Sequence, residues 1–446
     1  MSKWLCLWRG YKVESLARSS IYPTRHYASR ESHASSSGKM LKSAPLAGVR
    51  VLDMTRVLAG PFAAMLLADL GAEVIKVEKP GSGDDTRSWG PPFCKTESSY
   101  FLSVNRNKKS IAVNMKSKEG SSLLIELSKK CDVLLENYLP GKLDKFGLGY
   151  DSLSKLNPSL IYCSITGYGP GGPYDQRPGY DVVVSAMGGL MHITGPEDGD
   201  PCKVGVAMTD LCTGLYAHGA IMAALIQREK TKIGQKIDCS LLSSQIAVLS
   251  HIATSYLNTG FVTGRYGTAH HSIVPYQVFP TKDGHIMVGA GNDGLFKKLC
   301  KVIEMPRLTE DPKYKTNNAR VQYRHELIPI LADKLTERES NEWLPLLEEY
   351  GIPSAPINNI KQVFADPQVQ YKNLVQEVDH PTIGNVKLPA PAVEYDGVTR
   401  LVTPSAPPLL GQHTTEVLRD ILGCDQSLIK SLHQSGTVQS YKESNS

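Results

Sequence analysis

A strand–turn–helix–strand pattern early in the sequence constrains the fold more than any other feature. A short apolar run, 48–54, is followed by a turn and by a helical stretch, 62–70, with Pro61 in a position suited to the first helical turn. Gly71 ends this helix, and 72–78 has the pattern of a second strand. A strand, a helix and a second strand joined by tight connections form a βαβ unit, which implies a parallel sheet.

The same alternation continues over the first half of the chain and then changes. Short apolar strands and amphipathic helices follow one another over 45–245, so we predict an α/β fold with a parallel sheet there. A hairpin with an Asp-Gly turn and several amphipathic helices then predict a separate, smaller α+β domain over 264–375. A Pro-rich linker and a final helix follow within 376–435, and the polar stretch from Gln434 is predicted to be a frayed tail.

The net charge of the chain is concentrated at its amino end. The formal charge is +5, and the whole excess lies within residues 1–40, which are rich in Arg and Ser and poor in acidic residues. This composition is typical of a mitochondrial transit peptide, so we predict a disordered targeting segment and a location in the mitochondrial matrix. A disordered basic tail without a targeting role is the alternative.

The remainder of the chain carries no net charge, which disfavours binding to a nucleic-acid backbone. No apolar run approaches the roughly 18 residues that a membrane span needs, so no span is predicted. The nine cysteines include no CxxC pair, and we predict no metal site. A GxGxxG after the first strand, a P-loop, an HExxH and a GxSxG after a strand are also absent.

Eight short segments, taken together and in order, carry the functional signal. They are 51–61, 71–78, 105–111, 136–141, 179–181, 188–195, 209–211 and 407–414. This ordered set resembles the class III CoA-transferases, the formyl-CoA/carnitine-CoA transferase family, over about residues 45–430.

The resemblance implies an overall architecture. It implies a large Rossmann-like domain whose first part is 45–245, a small domain at 264–375, and a linker with the C-terminal part of the large domain at 376–435. It also implies a homodimer of interlocked chains. No cofactor is expected, because the CoA thioester is itself a substrate.

By the same resemblance Asp210 is the catalytic nucleophile. A carboxylate that attacks an acyl-CoA thioester gives a mixed anhydride, and released CoA thiolate then converts it to an aspartyl-CoA thioester. Because Asp210 stands where a helix begins, the alternative is that it is only the helix N-cap.

Tyr180 and Asp181 are predicted supporting residues. Acyl-CoA racemases of the same superfamily have a His where this chain has Tyr180. A tyrosine with a pKa near ~10 is a poor proton shuttle, which disfavours the racemase. Asp181 is expected either to assist Asp210 or to hold its own loop in place by hydrogen bonds.

The family's CoA contacts imply a set of binding residues. They are Arg56, Val57, Leu58, Lys79, Val113, Lys116, Asn137 and Lys145. Lys142 is close in sequence and suited to a phosphate. For each lysine the alternative is an ordinary solvated surface charge.

Arg106 and His270 are predicted to bind the acyl group or the acceptor acid. Arg106 is suited to hold the unreactive carboxylate of a dicarboxylate, and the alternative is a structural or CoA contact. His270 is expected to line the acyl pocket, unless it is an ordinary loop histidine.

Three phrases, 103–114, 161–169 and 267–270, are most similar to family members that take CoA from succinyl-CoA. The expected acceptor is a dicarboxylic acid, most of all glutarate. The alternatives are an acyl-CoA racemase, a transferase with another acceptor acid, and a non-catalytic CoA-binding relative.

Overall fold

A computed structural model describes residues 44–441, so the predicted transit peptide, 1–40, lies outside the described residues. Within the described chain there are two compact units. The smaller unit comprises residues 268–357, and the larger unit comprises 44–267 together with 358–441.

Strands and helices alternate along most of the chain. The strands are β1 (Arg50–Asp53), β2 (Glu73–Glu78), β3 (Phe93–Cys94), β4 (Glu97–Ser98), β5 (Lys108–Val113), β6 (Val133–Glu136), β7 (Ile161–Thr166), β8 (Lys236–Ser240), β9 (Tyr276–Pro280), β10 (His285–Gly289), β11 (Ser354–Pro356), β12 (Val375–His380), β13 (Gly384–Pro389) and β14 (Val438–Gln439).

The helices are also distributed over both units. They are α1 (Ala59–Asp69), α2 (Ser99–Ser103), α3 (Lys118–Ser128), α4 (Tyr150–Leu156), α5 (Asp181–Met187), α6 (Met208–Thr231), α7 (Leu241–Val248), α8 (His251–Thr259), α9 (Asp293–Val302), α10 (Asn317–Gln322), α11 (Arg324–Leu335), α12 (Ser340–Glu349), α13 (Ile360–Ala365), α14 (Pro367–Tyr371), α15 (Thr414–Asp420) and α16 (Gln426–Gln434). Short 3₁₀ turns lie at Asp85–Ser88, Leu143–Phe146 and Pro306–Thr309.

The larger unit is built on a seven-stranded sheet in the order β14-β5-β2-β1-β6-β7-β8. All neighbouring strands pair in parallel except β14, which pairs antiparallel to β5. From β1 the chain builds outward through β2 and β5, and it then crosses to the other side through β6, β7 and β8. The α/β fold predicted from the sequence is thereby confirmed, with the doubly wound strand order of Rossmann-like proteins.

Helices cover both faces of this sheet, as buried parallel strands require. On one face α1 and α6 pack over β1, β6 and β7, through residues such as Ala63, Leu67 and Ile221. On the other face α3, α15 and α16 pack over the sheet through Leu124, Val417 and their neighbours. The βαβ unit predicted from residues 48–78 is formed by β1, α1 and β2 of this sheet.

The chain's carboxyl end differs from the prediction. The stretch from Gln434 was expected to fray, yet Val438 is buried and pairs with Val113 at the edge of the sheet. Two strand residues are too few for an alternation pattern, and the edge of β5 supplies the hydrogen bonds that hold them. Residues 442–446 lie outside the described part.

The smaller unit has its own sheet and core. The hairpin predicted around the Asp-Gly turn is β9 paired with β10, and β11 adds a third strand. Phe279, Phe296 and Trp343 lie in its core. The smaller unit is shorter than the predicted small domain, 264–375, because α13, α14 and the start of β12 belong with the larger unit. The domain boundaries themselves stay predictions.

Helix α6 is long and apolar enough to cross a membrane by length and composition alone, whereas the sequence predicted no span. In the fold, 44% of its most apolar window is buried, and the helix packs against α1. Core helices of this kind meet the same criterion as true spans, so the observation is weak evidence for a membrane segment.

Candidate functional site

Most of the predicted CoA-binding residues lie along one edge of the large sheet. Because strands β1, β2, β5, β6 and β7 are parallel, their carboxyl ends share that edge. Arg56 follows β1, Lys79 follows β2, Lys116 follows β5 and Asn137 follows β6. The strand order reverses between β1 and β6, and ligands of open α/β sheets bind outside the carboxyl ends at such a point.

Asn137 holds the turn that joins β1 to α1, residues 54–58, which we call the β1–α1 turn. Its Oδ1 accepts a hydrogen bond from the Arg56 N–H at 3.0 Å, and its Nδ2 donates to the Arg56 carbonyl at 2.8 Å. The Arg56 guanidinium lies 5.6 Å from the Tyr138 ring centre and 3.0 Å from Asp85. Asn137 therefore positions this turn across the switch point.

The β1–α1 turn has a strained backbone. Val57 has a φ of 71°, a left-handed conformation that a β-branched residue seldom adopts. Its N–H donates to Asp84 Oδ1 at 3.2 Å. Leu58 is the N-cap of α1 and makes no side-chain capping hydrogen bond. The first N–H groups of a helix have no partner within it, so the start of α1 presents donors at the positive end of the helix dipole.

Four lysines that could meet phosphates are exposed. Lys79 and Lys116 lie at the ends of β2 and β5, and Lys142 and Lys145 belong to the segment after β6. That segment borders a cleft of about 190 Å³ at the carboxyl ends of β6 and β7. Among the residues that line the cleft are Glu136, Leu139, Pro140, Gly141, Thr166 and Pro170.

Glu136 is a buried carboxyl group in the wall of that cleft. Burial raises its pKa to about 7, although Ser164 Oγ and the Tyr138 N–H donate hydrogen bonds to it. Near neutral pH this carboxyl is present in both its protonated and its ionised form. Asp144, Asp151 and Asp238 also line the cleft, and Lys236 is paired with Asp238, so Glu136 is one of several acidic groups there.

Asp210 lies in the first turn of α6 but is not its N-cap, so that alternative interpretation is wrong. The N-cap is Ala207, and Asp210 is the third helical residue. Asp181 Oδ1 accepts a hydrogen bond from the Asp210 N–H at 3.1 Å. The capping acceptor therefore comes from Asp181 at the start of α5, which leaves the Asp210 carboxyl available for other chemistry.

The Asp210 carboxyl has an unusual electrostatic environment. Burial and, to a smaller extent, the neighbouring Asp181 charge together raise its pKa to about 7. Among residues 44–441, none donates a hydrogen bond or presents a cation to its oxygens. A partly desolvated, unpaired carboxylate is more nucleophilic when ionised than a solvated one.

Close packing brings the Asp210 turn beside the β1–α1 turn. Gly214 lies one helical turn after Asp210 on the same face of α6. A Cβ at Gly214 would lie 2.8 Å from the Ala59 carbonyl oxygen and 3.0 Å from the Phe62 ring, so only glycine permits this approach to α1. The residues on either side of Asp210 also share an apolar cluster with the turn. Leu58, Met65 and Val104 are its buried centre, and Val57, Phe62, Tyr100, Ala207 and Leu211 pack against them.

Hydrogen bonds fix the start of α6 to its neighbouring helices. Thr209 Oγ1 donates to Gln245 Oε1 of α7 at 2.7 Å and lies 2.9 Å from Ser185 Oγ of α5. Tyr180 is 58% exposed and occupies the N-cap position of α5, directly before Asp181. The predicted supporting pair therefore stands at the start of the helix that caps α6.

The structure places Arg106 away from the role predicted for it. Its guanidinium donates to both carboxyl oxygens of Asp69, at 2.9 and 2.6 Å, and the residue is 4% exposed. This guanidinium is buried and its charge is already matched by Asp69, so we leave Arg106 out of the site. The geometry favours the alternative, a structural contact with Asp69.

Val113 and His270 also need comment. The Val113 side chain is buried in the core of the larger unit, and the residue pairs with β14, so we leave it out of the CoA site as well. His270 belongs to the smaller unit, where its ring stacks on His271 with centres 5.0 Å apart. Its assignment to the acyl pocket stays a prediction.

Tyr100, Lys76 and Asp84 are candidates that the sequence reasoning missed. Tyr100 packs in the apolar cluster beside Asp210, and burial together with the charges of Asp210 and Asp181 raises its pKa to about 12. Lys76 and Asp84 form a fully buried ion pair of 2.8 Å beneath the β1–α1 turn. A lysine between two apolar residues of a predicted strand was a visible signal, whereas nothing in the sequence placed Tyr100.

Comparisons with known proteins show which family this chain belongs to. A family model described as CoA-transferase family III matches residues 46–414. Succinyl-CoA:glutarate CoA-transferase of Homo sapiens is 58% identical over 398 residues, which are 89% of this chain and 91% of that protein. Succinate–glutarate CoA-transferase of Agrobacterium fabrum is 43% identical over 386 residues, 84% of this chain and 96% of that protein.

A solved structure matches as well. A CAIB/BAIF family protein from Brucella suis superposes with a TM-score of 0.76 at 39% identity, over 85% of this chain and 100% of that one. The doubly wound sheet, with a candidate site at its carboxyl edge, has the architecture of a Rossmann-like α/β protein. The chain belongs to family III of the CoA-transferases.

Proposed function

We propose that this protein transfers CoA from succinyl-CoA to a dicarboxylate, with glutarate as the preferred acceptor and Asp210 as the nucleophile. The observation that carries the proposal is the unpaired Asp210 carboxyl, with its pKa raised to about 7, beside the strained β1–α1 turn. Family membership supports the class of reaction, and the names of the human and Agrobacterium relatives support the two acids.

The reaction begins when an ionised Asp210 oxygen attacks the thioester carbonyl of succinyl-CoA. The C–S bond breaks, CoA leaves as a thiolate, and a succinyl-aspartyl anhydride forms. The thiolate then attacks the Asp210 carbonyl carbon, and succinate leaves. The product of this half-reaction is an aspartyl-CoA thioester.

The acceptor acid reverses these steps. Its carboxylate attacks the aspartyl-CoA carbonyl and expels the thiolate, which gives a second anhydride. The thiolate then attacks the acceptor's carbonyl carbon, and Asp210 leaves as a carboxylate. No net proton or redox change is needed, so the proposal includes no cofactor besides the CoA thioester.

The start of α1 is proposed to stabilise the oxyanions of these steps. The N–H groups of Ala59 and Gly60 lie at the positive end of the helix dipole, beside the cluster that surrounds Asp210. The same helix-terminus effect at α6 favours the ionised form of Asp210 and opposes part of the burial effect.

CoA is proposed to lie along the carboxyl edge. Arg56 and the exposed Lys79, Lys116 and Lys145 would meet its phosphates, with Lys142 as a further candidate. Asn137 would act by holding Arg56 and the turn, since both ends of its amide are already bonded there. His270 remains the proposed acyl-binding residue.

Exposed apolar side chains support a homodimer. Helices α5 to α8 carry large apolar residues that solvent reaches, although most such residues are buried in monomers. They include Val182, Val183, Met187, Leu215, Tyr216, Ile226, Ile246, Tyr256 and Leu257. We propose that a second copy of the chain covers these faces, and that Leu215→Glu lowers the mass observed in analytical ultracentrifugation.

The amino-terminal composition supports a location in the mitochondrial matrix. Residues 1–40 hold the whole net positive charge of the chain and few acids, as transit peptides do. A fusion of residues 1–40 to a reporter is expected to reach the matrix, and a cytosolic reporter would contradict the proposal.

The test of the activity is direct. Purified protein is incubated with succinyl-CoA and glutarate, and glutaryl-CoA is measured by chromatography. Adipate and 3-hydroxy-3-methylglutarate serve as competing acceptors. Glutaryl-CoA formed with the highest kcat/KM supports the proposal, and a higher value for another acid would replace glutarate. Deuterium incorporation into a chiral 2-methylacyl-CoA in D₂O, without transfer, would point to a racemase instead.

A further inference from the structure

Two buried lysines contact the backbone here, one at the β1–α1 turn and the other in the first turn of α1. Lys76 Nζ donates to the Thr55 carbonyl at 2.9 Å, and Lys108 Nζ donates to the Pro61 carbonyl at 2.8 Å. Lys76 is 0% exposed and Lys108 is 3% exposed. Lysines are rarely buried unless they are paired, so each needs a neighbouring carboxylate.

Each lysine has such a partner. Lys76 Nζ lies 2.8 Å from Asp84 Oδ2, and Lys108 Nζ lies 3.0 Å from Asp53 Oδ2. Burial alone would raise the pKa of Asp84, but the Lys76 charge and the hydrogen bonds from Thr86 hold it at about 2. Asp84 is therefore ionised throughout the physiological range.

Asp84 joins the buried charges to the strained residue. Its Oδ1 accepts the Val57 N–H at 3.2 Å, and its Oδ2 pairs with Lys76, which in turn holds Thr55. One carboxylate thus connects the Thr55 carbonyl and the Val57 N–H, the backbone groups that lead into the left-handed Val57. Because Val57 carries a branched side chain, its own preference opposes this conformation.

We infer that Asp84 and Lys76 are positioning residues, whose buried ion pair holds Val57 in its left-handed conformation and thereby shapes the β1–α1 turn for CoA. This inference rests on the proposed role of the turn in CoA binding. Neither residue touches the ligand, and both act through the turn. A buried pair costs desolvation energy, and here it maintains a local conformation that the sequence alone disfavours.

The first variant is Asp84→Asn, which keeps an acceptor for the Val57 N–H and removes the charge that pairs with Lys76. We expect the KM for succinyl-CoA and the Kd for CoA, measured by calorimetry, to rise at least tenfold. We expect kcat to fall less than threefold.

The matched control is Asp132→Asn at the opposite edge of the same sheet. Asp132 also accepts a backbone N–H, from Arg50 at 2.7 Å, and pairs with a cation, Arg228, at 2.9 Å. It lies before β6 and far along the strand from the turn. It is expected to lower the melting temperature as Asp84→Asn does while it leaves both CoA constants within twofold of the wild type.

A double-mutant cycle separates a held conformation from general loss of stability. Glycine adopts positive φ freely, so Val57→Gly removes the need for the ion pair. In the Val57→Gly background, Asp84→Asn should raise the Kd for CoA less than threefold, against tenfold in the wild type.

Two results would overturn the inference. One is an Asp84→Asn protein that folds and keeps the Kd for CoA within twofold of wild type or of Asp132→Asn. The other is an equal tenfold effect in both Val57 backgrounds. If Asp84→Asn does not fold, Val57→Pro tests the same point, because proline fixes a negative φ and has no N–H for Asp84. An unchanged Kd for CoA in that variant would contradict the inference. A wild-type protein that binds CoA but does not use succinyl-CoA would contradict the proposed function. It would leave the inference about Asp84 and Lys76 intact.

Discussion

The two edges of the large sheet use charged residues in opposite ways. At the amino edge, Asp132 before β6 accepts the Arg50 N–H and pairs with Arg228, so its charge is matched by a partner. At the carboxyl edge, Asp210 and Glu136 both have pKa values raised to about 7, and burial is the main cause. Burying carboxyls whose charge is not matched lowers the stability of the carboxyl edge, and perturbed pKa values of this kind are typical of functional sites.

The backbone differs between the edges as well. At the amino edge Gly234 makes a close turn in which its N–H donates to the Pro158 carbonyl at 2.8 Å. At the carboxyl edge a valine takes a left-handed conformation that glycine would adopt without strain. At the amino edge Gly234 allows close packing of the backbone. At the carboxyl edge the strained Val57 lies beside a buried ion pair.

The largest expected effect follows from removing the nucleophile. Asp210→Asn should lower kcat by about 10³-fold or more, because an amide cannot form the anhydride. Initial rates with succinyl-CoA and glutarate check this. A variant that keeps a tenth of the wild-type rate would contradict the assignment of Asp210.

The same substitution should stabilise the fold at alkaline pH, which serves as its control. The carboxyl pKa is raised in the folded state, so the cost of ionisation is absent at low pH and fully present above about pH 7. The melting temperature of Asp210→Asn should exceed that of the wild type at pH 8, and the gap should shrink toward pH 4. An equal gap at both pH values would argue against the raised pKa.

A pair of glycine substitutions compares the edges directly. Gly214→Ala would place a Cβ 2.8 Å from the Ala59 carbonyl and shift Asp210, so we expect kcat to fall about 10- to 100-fold. Gly234→Ala would place its Cβ 2.1 Å from the Leu160 carbonyl at the amino edge. It should destabilise the fold by at least about 1–3 kcal/mol, the usual range for overpacking, without lowering kcat per folded molecule. Equal losses of kcat per folded molecule in the two variants would contradict the proposed difference between the two edges.

The pH dependence of kcat/KM tests the electrostatic coupling between the Asp210 and Asp181 carboxyls. Asp210 must be ionised to attack, so kcat/KM should fall tenfold per pH unit below about pH 7. Asp181→Asn keeps an acceptor for the Asp210 N–H and removes the neighbouring charge. The acidic limb of the profile should move to lower pH in that variant. A limb that stays in place would mean that the Asp181 charge has no influence.

The smallest effects are expected from the exposed lysines. Lys79→Ala, Lys116→Ala and Lys145→Ala should each raise the KM for succinyl-CoA by roughly two- to fivefold, in line with about 0.2–1 kcal/mol for exposed charge pairs. The effects should weaken at high salt. Lys130→Ala, an exposed lysine beside the amino edge, is the control and should leave KM unchanged.

The sequence predicted the parts of the fold that repeat. The parallel α/β sheet followed from the βαβ pattern, and the hairpin β9–β10 from its Asp-Gly turn. The edge strand at Val438 could not be predicted, because its partner, β5, is more than 300 residues earlier in the chain.

The candidate site was predicted less completely than the fold. Resemblance assigned roles to the turn, Asn137 and Asp210, which lie at the carboxyl edge in the structure, yet it also proposed Arg106, whose guanidinium is bound to Asp69. Whether an arginine pairs within the protein or remains open depends on tertiary neighbours that sequence spacing does not reveal. The role of Asp84 depends in the same way on the buried Lys76 beside it.

The central claim is that the Asp210 carboxyl carries CoA as a thioester during the reaction. The most direct measurement incubates the enzyme with succinyl-CoA in the absence of an acceptor acid, quenches it in acid and maps adducts by peptide mass spectrometry. We predict a CoA adduct, formed with loss of water, on the peptide that contains Asp210, and its disappearance when glutarate is added before the quench. An adduct on a different residue, or rapid transfer with no adduct at Asp210, would contradict the account.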